Sequence, residues 1–199
     1  MTISYAVEDS LYLNITNRCS NDCCFCIRRN ADGAYGSDSL WLEYEPTIKE
    51  ISDNIFSLNL NEFKEIVFCG YGEPLYRFDA IIEISRQIKE KYPSMPIRIN
   101  TNGQGELINY KGISRHFKGL IDYVSISLNA SNAADYQAIC ECIYGEAAFP
   151  ALIEFAKDCK NYVPKVVFSI VDIIKEDEIE KCKAIANEAG VTLRIRHKV

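Results

Sequence analysis

Residues 63–75 read "FKEIVFCGYGEPL", and their order of residue types decides the architecture. "FKEIVFC" (63–69) is a short apolar run with β-branched and aromatic side chains, the mark of a strand. "GYGEP" (70–74) interrupts it with two glycines and a proline, the mark of a loop. "RFDAIIEISRQIKEKY" (77–92) then sets Ile81, Ile84 and Ile88 on one face of a helix. The order strand, polar loop, helix is that of one β/α unit.

The same order recurs in both directions. Further strands are predicted at 10–16, 96–100, 121–128, 164–171 and 191–197. Helical patterns occupy 47–59, 107–117, 132–143, 147–162 and 176–190, the last ending at Gly190, a helix stop. Six such units predict an α/β fold, a parallel sheet with helices outside, as an open sheet or a partial (β/α)6 TIM-like barrel. The polar stretches follow the strands: "NRCSNDCCFC" (17–26), "GYGEP", "NTNG" (100–103), "NAS" (129–131) and "DIIKED" (172–177). In such folds chemistry sits at the C-terminal ends of strands, so these turns should open onto one face.

Composition bounds the function. The chain has 199 residues, 48% of them apolar, enough for one sizeable core, so one domain over 1–199 is expected. Its net charge of −6 does not support binding to a nucleic-acid backbone, although a local basic pocket is compatible with it. No export signal or apolar run of membrane-spanning length is visible, so a cytoplasmic protein is expected. Nine cysteines in a reducing compartment read as free thiols or metal ligands, and an odd count fits a closed disulfide framework poorly.

Four of the nine lie in "CSNDCCFC" (19–26). Cys19, Cys23 and Cys26 form C-x3-C-x2-C, with Cys24 in excess. A zinc knuckle needs a second close pair, and Cys140 and Cys142 sit on a predicted helix. A redox pair at Cys23 and Cys26 leaves Cys19 without a role. A cubane iron–sulfur cluster accounts for the number three, because three soft thiolates hold three irons and leave the fourth open to a ligand.

C-x3-C-x2-C with Phe25 before the last cysteine resembles the signature of the radical S-adenosylmethionine (SAM) superfamily. "GYGEP" after the next strand resembles that superfamily's glycine–glutamate–proline motif for SAM. A narrower resemblance, to the small TatD-family-associated radical SAM proteins, rests on "LYLNITNRCSNDCCFCIRRNADGAYG", "KEIVFCGYGEPL", "RINTNGQ", "SISLNA" and "IYGE". The superfamily resemblance implies a partial barrel, a [4Fe–4S] cluster on Cys19, Cys23 and Cys26, and SAM chelated to the open iron. It implies reductive cleavage of SAM to a 5′-deoxyadenosyl radical that abstracts hydrogen from a substrate the sequence does not identify. A reduced flavodoxin- or ferredoxin-type donor would supply the electron. A minimal barrel has a wide mouth, which suits a macromolecular substrate or a homo-oligomer that covers it.

The resemblance assigns Gly70, Tyr71, Gly72, Glu73 and Pro74 to SAM, with Tyr71 standing where the superfamily usually has glycine. Phe25 is expected near the adenine. Asn102, Ser127 and Asn129 are expected at the ribose and carboxylate, and Val171, Asp172 and His197 at the adenine border. Asn and Ser are also ordinary turn residues. Arg28 and Arg29 are candidate contacts for an anionic group, or two solvated charges. Trp41 is expected to pack on the barrel edge. Cys69 is a candidate hydrogen-atom donor, or a small buried strand residue. Cys24 is expected to be no ligand. Alternative activities are activation of a glycyl-radical protein and a 7-carboxy-7-deazaguanine-synthase-like reaction. A non-catalytic iron–sulfur electron carrier would need the cysteines but not "GYGEP".

Overall fold

The structure, a computed structural model, describes residues 1–197. One sheet of seven strands runs through it: β1 (Ser4–Val7), β2 (Ser10–Leu13), β3 (Glu65–Phe68), β4 (Ile97–Thr101), β5 (Tyr123–Ser127), β6 (Lys165–Val171) and β7 (Thr192–Arg196). The strands are hydrogen-bonded in sequence order, and β2 to β7 are all parallel. These are the six predicted strands. β1, which the sequence reading passed over, pairs antiparallel with β2 through a tight turn at Glu8, whose φ is +52°. Four residues and a Glu-Asp turn carry little strand or hairpin signal. Among the described residues the edge strands β1 and β7 do not pair, so the barrel remains open.

Helices α1 (Ile48–Phe56), α2 (Phe78–Lys91), α3 (Gly105–Ile108), α4 (Ala133–Cys140), α5 (Ala148–Cys159) and α6 (Glu176–Ala189) fill the connections. Local chemistry sets their ends. Thr47 and Glu50 form a reciprocal capping box at the start of α1. Gly190 ends α6 in the left-handed region, at φ +67°. The predicted helix over 107–117 is instead α3 and a separate 3-10 turn, Ile113–Phe117, divided at Gly112, whose φ is +79°. Asn132 caps α4, and Glu141 ends it in the left-handed region.

Strand alternation divides the sheet into two faces. Leu11, Leu13, Ile66, Phe68, Ile97, Ile99, Val124, Ile126, Phe168 and Ile170 join the helices' apolar faces in one core. Full burial of such side chains contributes about 1.5–3 kcal/mol each. The intervening residues face the concave side. Tyr12, Val67, Arg98, Tyr123 and Lys165 stand there side by side in one register layer. Among the described residues no helix is long and apolar enough to cross a membrane.

Candidate functional site

The cysteine loop leaves β2 and is fastened to the end of α4. The N–H of Asp22 donates to the carbonyl of Cys140 at 3.0 Å, and that of Cys24 to Ile139 at 3.0 Å. The N–H of Ile143 returns to Ser20 at 2.9 Å. Below these bonds lies a buried polar network. Gln104 accepts from Ser20 and donates to Asn21 and to the Tyr136 hydroxyl, which also accepts from Asn21. These bonds hold the loop in shape, and a half-satisfied network there would be costly.

Cys19, Cys23 and Cys26 are half-buried, whereas Cys24 is exposed. Burial, followed by the Glu73 carboxylate, pushes the Cys19 thiol up to about 12. The Cys23 thiol is raised by its hydrogen bond with Cys140 and then by burial. Burial also raises Cys26. The Cys19 and Cys26 thiols each feel the charge of Cys23, and the Arg28 guanidinium pulls both down. The three sulfurs thus share one electrostatic neighbourhood. Cys19, Cys23 and Cys26 would hold a cubane cluster through one thiolate each. A cluster held there would bind the thiolates, the form that the Arg28 guanidinium favours at Cys19 and Cys26.

Arg28 and Arg29 do not stand free for an outside anion. Arg28 donates to the Asn21 carbonyl at 3.1 Å and lies 3.5 Å from the Asp22 carboxylate. Arg29 pairs with Asp22 at 2.9 Å and with Glu141 at 3.6 Å, strapping the loop to α4.

The second loop explains its own glycines. A Cβ on Gly70 would lie 2.1 Å from Oδ1 of Asn14. One on Gly72 would lie 2.3 Å from the carbonyl oxygen of Thr16 and 2.7 Å from that of Arg18. What demands glycine in this structure is the neighbouring chain after β2, whereas the sequence reading expected the approach of a ligand. Asn14 fastens the contact, accepting from the N–H of Tyr71 at 3.2 Å and donating to the Leu40 carbonyl at 2.7 Å. Glu73 is 3% exposed, yet its carboxylate accepts from Leu75 N–H, the Thr101 hydroxyl and Asn102 N–H. Burial pushes it up to about 7 against the pull of those three donors. Its own N–H donates to the Arg18 carbonyl at 2.8 Å. Glu73 therefore ties the cysteine loop to the loop after β4, and Pro74 opens the 3-10 turn Pro74–Arg77.

Tyr71 accounts for the departure from glycine. Its hydroxyl donates to the carbonyls of Ala31 and Gly33, and its ring meets Trp41 edge-on at 5.1 Å. With Tyr5, Ala34 and Leu40 it forms a small second core that holds the 31–41 segment. Trp41 packs there with one side exposed.

The remaining residues gather at the same strand ends. Asn102 is committed internally: its amide donates to the Ser20 hydroxyl, and its Oδ1 accepts from Gln104 N–H. Ser127 stands on the concave face beside Ser169. Asn129 adopts the left-handed region at φ +56°, its amide donates to Cys140 Sγ at 3.6 Å, and its Oδ1 is buried with no hydrogen-bond partner among the described residues. Val171 is in register with Arg196, and Asp172 pairs with His197 at 2.6 Å. Phe25 is half-buried in the cysteine loop. Cys69 follows β3 on the concave side, and its carbonyl accepts from the Tyr5 hydroxyl at 3.3 Å. Burial raises its thiol, while Asn100 and the charges of Arg196 and Arg98 pull it down.

A family model for the radical SAM superfamily matches residues 13–189. The chain belongs to the radical SAM superfamily. It is 30% identical over 138 residues to a Methanocaldococcus jannaschii protein named as a candidate glycyl-radical enzyme activating enzyme, covering 67% of this chain and 45% of that protein. An uncharacterized protein of the same organism is 30% identical over 125 residues, covering 63% and 40%. The chain thus spans less than half the length of these curated relatives. In fold it is similar to a radical SAM methyltransferase from Sphaerobacter thermophilus, with TM-score 0.68, 14% identity, and 98% of this chain and 68% of that one covered. It is also similar to Streptococcus suis SuiB bound to S-adenosylmethionine, with TM-score 0.67, 16% identity and 94% and 38% covered.

The superfamily uses a [4Fe–4S] cluster and SAM, and the residues present fit both. Three half-buried thiols in a hydrogen-bonded polar loop are a soft donor set of the right number. The buried, unpartnered Oδ1 of Asn129 needs a donor, which a ligand hydroxyl such as that of a ribose can supply. Sequence reasoning missed Asn14, Gln104 and Tyr136, because distant partners give such residues their roles.

Proposed function

We propose that this chain is a radical SAM enzyme, with Cys19, Cys23 and Cys26 holding a [4Fe–4S] cluster and the loops after β3 to β6 holding SAM. When bound, the two cofactors supply a 5′-deoxyadenosyl radical that takes hydrogen from a substrate on the concave face. The observation that carries this reading is the tie between the two motif loops through Glu73 and the Arg18 carbonyl. An electron carrier would need the first loop only. The chain's own groups shape the cluster loop, set Arg28 near the Cys19 and Cys26 thiols, leave Asn129 Oδ1 buried and open to a donor, and carry Cys69 on the concave side. Cys69 is the candidate to give a hydrogen atom to a substrate radical, and the thiyl radical this leaves would take one electron from the reduced flavodoxin- or ferredoxin-type donor and a proton from solvent.

The test is anaerobic reconstitution with iron and sulfide, reduction, addition of SAM and measurement of 5′-deoxyadenosine. The proposal expects its formation. A brown protein that forms none supports an electron carrier, and a colourless protein with stoichiometric zinc supports a metal-structural module.

Activation of a glycyl-radical protein is the second reading, favoured by the M. jannaschii relative. In both readings a reduced flavodoxin- or ferredoxin-type protein supplies the electron. The open edge between β1 and β7 suits a macromolecular substrate or a second copy that covers it.

A further inference from the structure

The concave face carries cations that the radical chemistry does not use. Val166, Phe168 and Ile170 enter the core under the helices, so Val167, Ser169 and Val171 face the opposite way. In register with them on β7 stand Thr192, Arg194 and Arg196. Leu193, between Thr192 and Arg194, packs on the helix-side core, so strand alternation sets Arg194 and Arg196 on the other face. Arg194 and Arg196 therefore share the concave face with Ser127, Ser169 and Cys69.

The charges there are not balanced. Arg98 is matched, pairing with Glu65 at 2.9 Å and donating to the Tyr12 hydroxyl at 3.0 Å. Glu65 also accepts from Ser10. At the rim His197 pairs with Asp172. Lys165 lies over the Tyr123 ring at 4.4 Å. Neither Arg194 nor Arg196 makes an ion pair with a described residue. Among the described residues, the Nε of Arg196 and the Nε of Arg98 are both buried without a hydrogen-bond partner. The charges of both arginines reach the Cys69 thiol. A chain of net charge −6 thus keeps the half-buried Arg196 guanidinium, and the exposed one of Arg194, without an acidic partner among the described residues. Buried donors without partners are costly, and an oxyanion satisfies them with charge-assisted, forked hydrogen bonds.

We propose that Arg196, assisted by Arg194, binds an oxyanion of the substrate on the concave face across from Cys69. The substrate role rests on the radical SAM reading. The anion site does not. The carboxylate of SAM is the competing source of the anion. It is expected at the cluster and beside Asn102, Ser127 and Asn129, at the ends of β4 and β5, whereas Arg196 stands on the edge strand β7.

Inorganic phosphate is the probe, at constant ionic strength, with thermal unfolding of the full chain as the readout. The wild type is expected to gain stability saturably, with and without SAM. Arg196→Gln should weaken the response about tenfold and Arg194→Gln by less. In the unmutated protein, phosphate should protect Arg196 from phenylglyoxal, read by peptide mass spectrometry, which keeps the test independent of variant folding. An unchanged response in Arg196→Gln, or neither a saturable response nor protection in the wild type, overturns the proposal. So does loss of SAM binding in reconstituted Arg196→Gln, which would assign the arginine to SAM. Neither arm requires turnover, so absence of 5′-deoxyadenosine would count against the radical reading and leave the anion site standing.

Discussion

The backbone N–H of Asn102 donates to the buried carboxylate of Glu73 at 2.7 Å, joining the loop after β4 to the loop after β3. Burial holds Glu73 at about 7, above its ordinary value of 4.5. Between those two values the folded chain binds a proton that the unfolded chain lacks. Stability should therefore fall as pH rises from about 4.5 to about 7. The midpoint of urea unfolding of the cluster-free protein, measured across that window, should show this fall. Glu73→Gln should flatten it, and an equally steep fall in that variant would assign the titration to another group.

Gly72 has backbone oxygens on both sides, those of Thr16 and Arg18. Main chain cannot yield as a flexible side chain can. Gly72→Ala should therefore cost roughly 1–3 kcal/mol, as overpacking does, and reduce cluster loading. Thermal melting and iron content check both. Gly36→Ala is the contrasting variant: no atom stands near its Cβ, but φ is +83°, so only backbone strain is expected.

Cys24 is exposed where the other three cysteines of its loop are half-buried. Cys24→Ala should keep iron and sulfide content and the visible absorbance of the reconstituted protein. Cys19→Ala should lose them. Loss in Cys24→Ala with retention in Cys19→Ala would reverse the ligand assignment.

Asn129 combines a left-handed backbone with an unpartnered Oδ1. Asn129→Gly removes the acceptor and suits the left-handed backbone, but it also loses the amide's hydrogen bond to Cys140 Sγ at 3.6 Å, so the melting temperature should fall slightly. SAM affinity of the reconstituted protein should fall by about 1 kcal/mol, several-fold in the dissociation constant. Calorimetric titration separates this outcome from unchanged affinity, which would leave Oδ1 with no part in binding.

Much of the architecture was readable in local pattern. Six parallel strands and most of the helices followed from runs such as 63–69 and 77–92, because apolar periodicity and glycine or proline breaks are local properties. β1 and the divided 107–117 segment were not readable. A four-residue edge strand gains its hydrogen bonds from β2, and the positive φ at Gly112 is a backbone choice that helical periodicity does not reveal.

The site divides along the same line. Spacing alone separated Cys19, Cys23 and Cys26 from Cys24 and set "GYGEP" after the second parallel strand. Residue type alone offered Arg28 and Arg29 for an anion, but packing spent them on Asp22, Asn21 and Glu141. Only the assembled sheet brought Glu73 to Thr101 and Asn102, pressed Gly72 against Thr16, and turned Arg196 inward toward the face that holds Cys69. Those relationships join residues tens of positions apart. Their physical cause is register and burial, which exist only once the strands lie side by side.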